Sequence, residues 1–132
     1  MKNLFVPFDI AEYLKKKGFN EPCIAEYYRG VFEMNKSTNE YTNSNPNHFD
    51  HDFNCSAPMY DQVVNWFREK HNVIIEARLE TYSLSAFKQF GEPRFKFKGF
   101  IFCINTGEYP TETYETKEDA LMKAITIALK LI

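Results

Sequence analysis

The residues with the greatest capacity for chemistry are two histidines and a cysteine in the stretch HFDHDFNC. They are His48, His51 and Cys55. Two imidazoles and a thiolate can bind Zn²⁺, and Cys23 or His71 could supply a fourth ligand. The spacing matches no common zinc module, and a polar loop without metal is the simpler explanation of the same residues. His48, His51 and Cys55 are therefore candidate metal ligands, with a plain polar loop as the alternative.

The same cysteine raises the question of nucleophilic catalysis. Cys55 with His48 or His51 forms the only local Cys/His pair, although catalytic pairs usually meet through the fold and not along the chain. The sequence contains no glycine-rich phosphate loop, nucleophile elbow or metalloprotease helix motif. These observations favour a protein that is not an enzyme, and no cofactor is expected.

A second candidate site is the basic and aromatic segment RFKFKGFIFCIN. As a strand, it places Arg94, Lys96 and Lys98 on one face, because successive side chains alternate. The run from Lys98 to Phe102 is similar to the aromatic strand of the RNA-recognition motif, where rings stack on bases and cations contact phosphates. Arg94, Lys96, Lys98 and Phe100 are therefore candidate nucleic-acid-binding residues.

Three observations weigh against that hypothesis. Ile101 replaces the small residue of the motif, the first strand lacks the partner motif, and no fourth strand follows the last helix. The other frame, helix–three strands–helix from Ala57, is the order of a double-stranded-RNA-binding domain, but it places acids, Glu118 and Asp119, where phosphate contacts are needed. The alternative is a solvated strand face that pairs with acidic neighbours such as Glu76 and Glu80.

Length, composition and charge are those of an ordinary globular chain. The 132 residues are 44% hydrophobic and 26% charged, which predicts one domain over residues 1–132. The net charge of −2 gives no general attraction to nucleic acid or to an anionic membrane. The apolar runs are too short for a membrane span, and no signal peptide is evident. Three widely spaced cysteines indicate a reducing cytosol.

The clearest structural signal is an amphipathic helix from Ser56 to Asn72, with Ser56 as its cap and Pro58 in its first turn. Trp66 and Phe67 lie on the apolar arc of this helix and are predicted to anchor the core. The other predicted elements are helices over Pro7–Lys17 and from Thr116 onward, and strands over Cys23–Met34, Val73–Tyr82, Arg94–Asn105 and Glu112–Glu115.

These elements predict an α+β fold. An antiparallel sheet of three to five strands carries the central and C-terminal helices on one face, and the N-terminal helix packs at an edge. The Asn-rich segment at about 35–55 is predicted to be a long loop, with a second strand possible around Glu40 to Thr42. The predicted core residues are Leu14, Val63, Trp66, Phe67, Ile75, Leu79, Phe97, Ile101, Leu121, Ile125 and Leu129.

Three segments carry a resemblance to known sequences: KGFNEPC at Lys17 to Cys23, SAPMYDQVVNWFREKHN at Ser56 to Asn72, and the closing YETKEDALMKAITIALKLI. With these segments the chain resembles a group of small uncharacterised proteins encoded in phages and prophages of Bacteroides and relatives. The resemblance implies expression from mobile DNA in a bacterial cytoplasm. The shared motifs are packing motifs, so they imply relatives and not a reaction.

The sequence thus favours a non-enzymatic accessory protein that binds a host or phage protein or a small ligand. Aromatic residues make up 17% of the chain, and from Gly99 to Ile104 both faces of the predicted strand are apolar. Such a segment predicts a covered interface, for example a homo-oligomer through strand 99–104. Binding of RNA or DNA by the basic aromatic strand 94–102 is the alternative.

Overall fold

In the computed structural model, residues 2–35, 41–42, 45, 54–81 and 95–132 are described. These residues form three α-helices and two three-stranded antiparallel sheets, so the predicted α+β class is confirmed. The helices are α1 (Phe8–Lys16), α2 (Tyr60–His71) and α3 (Lys117–Leu131); the strands are β1 (Ala25–Tyr28), β2 (Val31–Met34), β3 (Cys55–Ser56), β4 (Val73–Thr81), β5 (Phe95–Cys103) and β6 (Gly107–Tyr114). A short 3-10 helix, Lys2–Leu4, precedes α1.

The strands differ from the prediction in being divided between two sheets instead of joined in one. The first sheet has the order β2-β1-β3 and the second the order β4-β5-β6. The chain forms two compact units, residues 1–66 with residue 132, and residues 67–131. The first sheet belongs to the first unit and the second sheet to the second. A single domain over 1–132, with the central helix on the sheet face, stays a prediction.

In the first unit, α1 ends in the way its sequence predicts. Gly18 adopts a φ of +94°, which a residue without Cβ reaches at no steric cost. Its amide donates to the carbonyl of Lys15 at 3.1 Å, and the amide of Phe19 donates to that of Leu14 at 2.9 Å. This pair of bonds is the Schellman motif. Phe19 is thereby directed into the core, where only 1% of its surface is exposed.

The strand predicted over Cys23–Met34 is wrong as a single element, because the chain reverses in its middle. Arg29 and Gly30 have φ angles of 51° and 78°. Two consecutive residues with positive φ suit the tight turn that matches the twist of two antiparallel strands. The result is a hairpin of β1 and β2, in which Tyr27 pairs with Phe32.

The start of the central helix also differs from the prediction. Ser56 does not cap α2 but lies in β3, opposite Glu26 of β1. Pro58 precedes the helix, and its carbonyl accepts a bond from the amide of Val6 at 3.0 Å. Pairing with distant segments therefore holds these residues extended, and the helix begins at Tyr60. At the other end Asn72 has a φ of 54°, as the predicted cap requires.

Two described residues of the Asn-rich segment are tied to the first unit. Thr42 forms an antiparallel bridge with Cys23, through backbone bonds of 2.8 and 2.9 Å. The predicted strand around Glu40 to Thr42 is therefore a single bridge in the described residues. The side chain of Asn45 is buried, donates to the carbonyl of Phe19 at 2.8 Å and accepts from the amide of Ser56 at 3.0 Å.

The second sheet is a regular ladder with one bulge. Every residue of β4 pairs with one of β5, from Val73 opposite Cys103 to Thr81 opposite Phe95. The register of β5 with β6 shifts between Lys98 and Phe100. There the amide of Gly99 donates to the hydroxyl of Thr111 at 2.9 Å. β6 begins at Gly107, earlier than the predicted strand Glu112–Glu115. It includes Pro110, which an edge strand tolerates.

Helix α3 packs across one face of this sheet and contacts β4, β5 and β6. Thr116 caps it as predicted, its hydroxyl accepting from the amide of Asp119 at 3.1 Å. The buried side chains of α3 are Ala120, Leu121, Ala124, Ile125, Ala128 and Leu129. The small residues Ala120 and Ala124 lie against Gly99, where the helix and the sheet leave no room for a Cβ.

Of the predicted core residues, Leu79 and Phe97 are the two that the structure does not bury. Leu79 is 53% exposed and Phe97 is half-buried. They pair with each other across β4 and β5, two residues beyond Gly99. The alternation of apolar residues thus predicted correctly which side of the sheet Leu79 and Phe97 lie on. The buried part of that side ends before it reaches this pair. The other predicted core residues are buried.

Candidate functional site

The face of the second sheet that points away from α3 carries the basic and aromatic residues singled out in the sequence. Gly99 faces Ala120 and Ala124 of α3, so the residues on either side of it face the opposite way. We call this surface the outer face. Its members are Ile74, Glu76, Arg78 and Glu80 of β4, Lys96, Lys98, Phe100 and Phe102 of β5, and Glu108, Pro110 and Thr113 of β6.

An arginine covers two aromatic rings of the outer face. The guanidinium carbon of Arg78 lies 4.2 Å from the ring centroid of Phe100 and 6.0 Å from that of Phe102. The ammonium of Lys98 lies 5.9 Å from the ring centroid of Phe100. Cations at such distances are attracted by the ring faces. The side chains of these cations therefore partly shield the rings beside them.

The cations of the outer face have acids as neighbours. Arg78 forms a salt bridge with Glu76, in which its Nε donates to Oε1 at 2.7 Å. Lys96 lies directly opposite Glu80. The side chains of Arg78 and Glu76 are 51% and 42% exposed, so their ion pair is a surface pair that contributes little to stability. This ion pair instead helps to hold the guanidinium of Arg78 over the rings.

The cations and acids of this face balance. The outward positions of the three strands carry Arg78, Lys96 and Lys98, and they carry Glu76, Glu80 and Glu108. Three positive and three negative charges sum to zero. A phosphate-binding surface has a net positive charge. The described part of this face instead combines balanced charges with aromatic residues and arginine, the residue types that are enriched in protein interfaces.

The structure brings together three of the four predicted nucleic-acid-binding residues, Lys96, Lys98 and Phe100. Arg94 lies outside the described residues. The sequence prediction placed Arg78 on the solvated face of its strand but counted neither Arg78 nor Ile74 among the candidate binding residues, although alternation in β4 puts both on this face. Ile74 is 49% exposed, which marks it as an apolar residue on the wet side of the strand.

The predicted metal site cannot be assembled from the described residues, because His48 and His51 lie outside them. Cys55 lies in β3 and is fully buried, as is Cys23. Burial raises the pKa of each thiol to about 12, although a hydrogen bond that the Cys23 sulfur accepts from Ser56 and the charge of Lys15 near Cys55 act in the opposite direction. The described residues contain no group of three or more ligands that could hold a metal ion.

These raised pKa values bear on the nucleophile and zinc-ligand roles of Cys55. Both roles require the thiolate, and at neutral pH a thiol with a pKa of about 12 is protonated. Cys55 with His48 or His51 stays a prediction. The environment of the sulfur favours a small packed side chain.

We expect the three cysteines to differ sharply in their reaction with a thiol reagent such as DTNB. Cys103, which is half-buried, should react in the native protein, whereas Cys23 and Cys55 should react on the timescale of unfolding, because they are enclosed and protonated. Mass spectrometry after brief labelling identifies the modified residue. Rapid labelling of Cys55 in native protein would contradict its enclosure and favour the catalytic interpretation.

Comparisons with known proteins add no relative. The chain matches no family model, no curated protein and no solved structure. None of the helices in the described part of the chain combines the length and the apolar content that crossing a bilayer requires.

Proposed function

We propose that this chain is a non-enzymatic binding protein that docks another protein against the outer face of its second sheet. The observation that carries the proposal is the apolar cluster of that face, in which Arg78 lies over the rings of Phe100 and Phe102, and Ile74 lies directly opposite Phe102. Aromatic residues and arginine are enriched in protein interfaces and among the residues that dominate binding energy.

The chemistry of the cysteines supports a binding role over a catalytic one. Two of the three thiols are buried with a pKa raised to about 12, so neither supplies a nucleophile at neutral pH. With the resemblance to proteins of phages and prophages of Bacteroides, this supports an accessory protein of a bacterial cytoplasm. Its partner is then a protein of the host or of the phage.

A pull-down from a Bacteroides-type lysate tests the proposal. Wild-type protein should retain a partner that the double variant Phe100→Ser, Phe102→Ser retains at least about tenfold less, since the centre of an interface carries most of its binding energy. The matched control is Lys123→Glu, an exposed position on the polar side of α3. Circular dichroism checks that each variant is folded. Equal retention by the wild type and the double variant would refute the outer face as the docking site.

Binding of single-stranded nucleic acid is the second candidate, and one observation favours it. Arg78 and Lys98 lie directly opposite each other beside the ring of Phe100, where phosphates and a base could be held together. Fluorescence anisotropy with a labelled single-stranded RNA separates the two functions. Affinity that falls steeply with added salt, and that Lys96→Glu with Lys98→Glu abolishes, would establish the second candidate. The protein-docking proposal expects no such binding.

A further inference from the structure

We propose that the protein docked on the outer face is a second copy of this chain, packed face to face with its strands running antiparallel to those of the first. This inference rests on the proposed function and names its partner. It depends on the order of charges along the strands, which makes the outer face complementary to itself.

The outer face has two halves of opposite charge. Among the described residues, the half toward the start of β5 contains Lys96, Lys98 and Arg78 with one acid, Glu80, for a net charge of three minus one, or +2. The other half contains two acids, Glu76 and Glu108, and no cation among its described residues, for a net charge of −2. The apolar side chains Ile74, Phe100, Phe102 and Pro110 all lie in the acidic half.

This polarity selects one orientation of the second copy. A two-fold axis that lies in the interface and runs across the strands reverses their direction. It places each basic half on the acidic half of the other copy, and it places β4 on β4 and β5 on β5. An axis along the strands would stack like charges, which is unfavourable by several kcal/mol. The favoured arrangement is isologous, as in most homodimers.

Specific pairs follow from the register. In β4, Arg78 of each copy meets Glu76 of the other, because these two residues lie one row on either side of the centre of rotation. In β5, Lys98 of each copy lies over Phe100 of the other. The salt bridge between Arg78 and Glu76 within one chain is exposed and contributes little. It can therefore be exchanged for, or extended by, the pairs between copies.

The size of the face predicts a weak complex. The sheet has three strands, and β4 and β5 have nine residues each. With strands about 4.8 Å apart and a rise of about 3.4 Å per residue, the face measures about 14 by 30 Å, so two copies bury about 850 Å² together. Stable complexes bury about 1,200 Å² or more. We therefore expect a dimer that dissociates in the micromolar range or above.

Charge exchange between Arg78 and Glu76 tests the pairing. In a dimer of Arg78→Glu, each of the two contacts between positions 76 and 78 joins two acids. In a dimer of Glu76→Arg, each of these contacts joins two cations. Sedimentation velocity over a concentration series should show that each variant alone dissociates at least about tenfold more readily than the wild type. An equimolar mixture of the two variants should regain the wild-type affinity, because both contacts then join opposite charges.

Two controls show whether a loss of dimerisation comes from unfolding or from a change in net charge alone. Both positions are about half exposed, so thermal melts of the single variants should lie close to that of the wild type. Lys123→Glu makes the same charge reversal as Arg78→Glu on the α3 side of the unit, and it should leave dimerisation unchanged.

The outcomes separate this inference from the proposed function. A wild type that stays monomeric at all concentrations, or a mixture that fails to regain affinity, overturns the dimer. If the lysate experiment still shows a partner lost with Phe100 and Phe102, the outer face binds a different protein and the proposed function stands. If neither self-association nor a retained partner depends on the face, both proposals fail.

Discussion

Replacing Phe19 by alanine is expected to lower the free energy of unfolding by about 3–5 kcal/mol, the range for removing a buried phenylalanine side chain. Its ring is 1% exposed and meets Trp66 edge to face, with the centroids 5.5 Å apart. An aromatic pair of this geometry adds about 0.5–1.5 kcal/mol beyond burial. Since native domains are stable by about 5–15 kcal/mol in total, this single change removes a large share of the stability.

Urea unfolding measures this loss directly. The matched control is Tyr13→Ala, which removes an aromatic side chain that is 38% exposed from the helix preceding Phe19. The control should lower stability by less than about 1 kcal/mol. A double variant with Trp66→Leu should lose less than the sum of the two single losses, because the ring contact is removed only once. Equal losses for Phe19→Ala and Tyr13→Ala would contradict the described packing.

The second large effect is expected at Gly99. An alanine there would bring its Cβ to 2.7 Å from the carbonyl oxygen of Ala120, 3.0 Å from Cβ of Ala124 and 3.1 Å from Cγ2 of Thr111. The first neighbour is a backbone atom within a helix, so α3 as a whole would have to move. Overpacking of this kind costs about 1–3 kcal/mol, and we expect Gly99→Ala to lower the melting temperature by roughly 4–12 °C.

A rescue variant and a neighbour make this prediction specific. Gly99→Ala combined with Ala124→Gly should recover only part of the loss, because the carbonyl of Ala120 still blocks the new Cβ. Lys98→Ala, on the opposite face of the same strand, should change the melting temperature little. A Gly99→Ala variant with the same melting temperature as the wild type would show that α3 and the sheet lie further apart than described.

The elements that could be predicted from the sequence are those with local signals. The end of α1 follows from Gly18 and Phe19, and the start of α3 follows from Thr116 with acids behind it. The ladder of β4 and β5 follows from alternation over long runs. In each case the residues that specify the element lie inside it, so no distant contact is needed to recognise it.

The elements that could not be predicted depend on distant partners. β3 consists of Cys55 and Ser56, and two residues have no periodicity; pairing with β1 alone makes them a strand. The turn at Arg29 and Gly30 lacks the Asn-Gly or Asp-Gly pair that usually marks such turns. Without a turn signal, one long strand was the simpler interpretation.

The candidate site was predictable to a similar degree. The alternation of side chains along β5 predicted that Lys96, Lys98 and Phe100 share one face. That prediction required only the sequence of the strand. The position of Arg78 over Phe100 depends on the register of β4 against β5. Register is fixed by the buried face and by the geometry of the connection. The sequence therefore predicted Glu76 and Glu80 as acidic neighbours of the basic strand, but not which cation each of them meets.

The turn between β1 and β2 has a consequence for the order in which the first unit folds. Tyr28 and Val31 face each other across two residues, so the hairpin closes a minimal loop and can form within microseconds. Tyr27 must find Cys55 at much greater separation along the chain, and closing that loop costs about 2 kcal/mol more in chain entropy. We therefore expect the hairpin of β1 and β2 to form early in folding. Pairing of β3 with the free edge of β1 should be a later step that lengthens the refolding time.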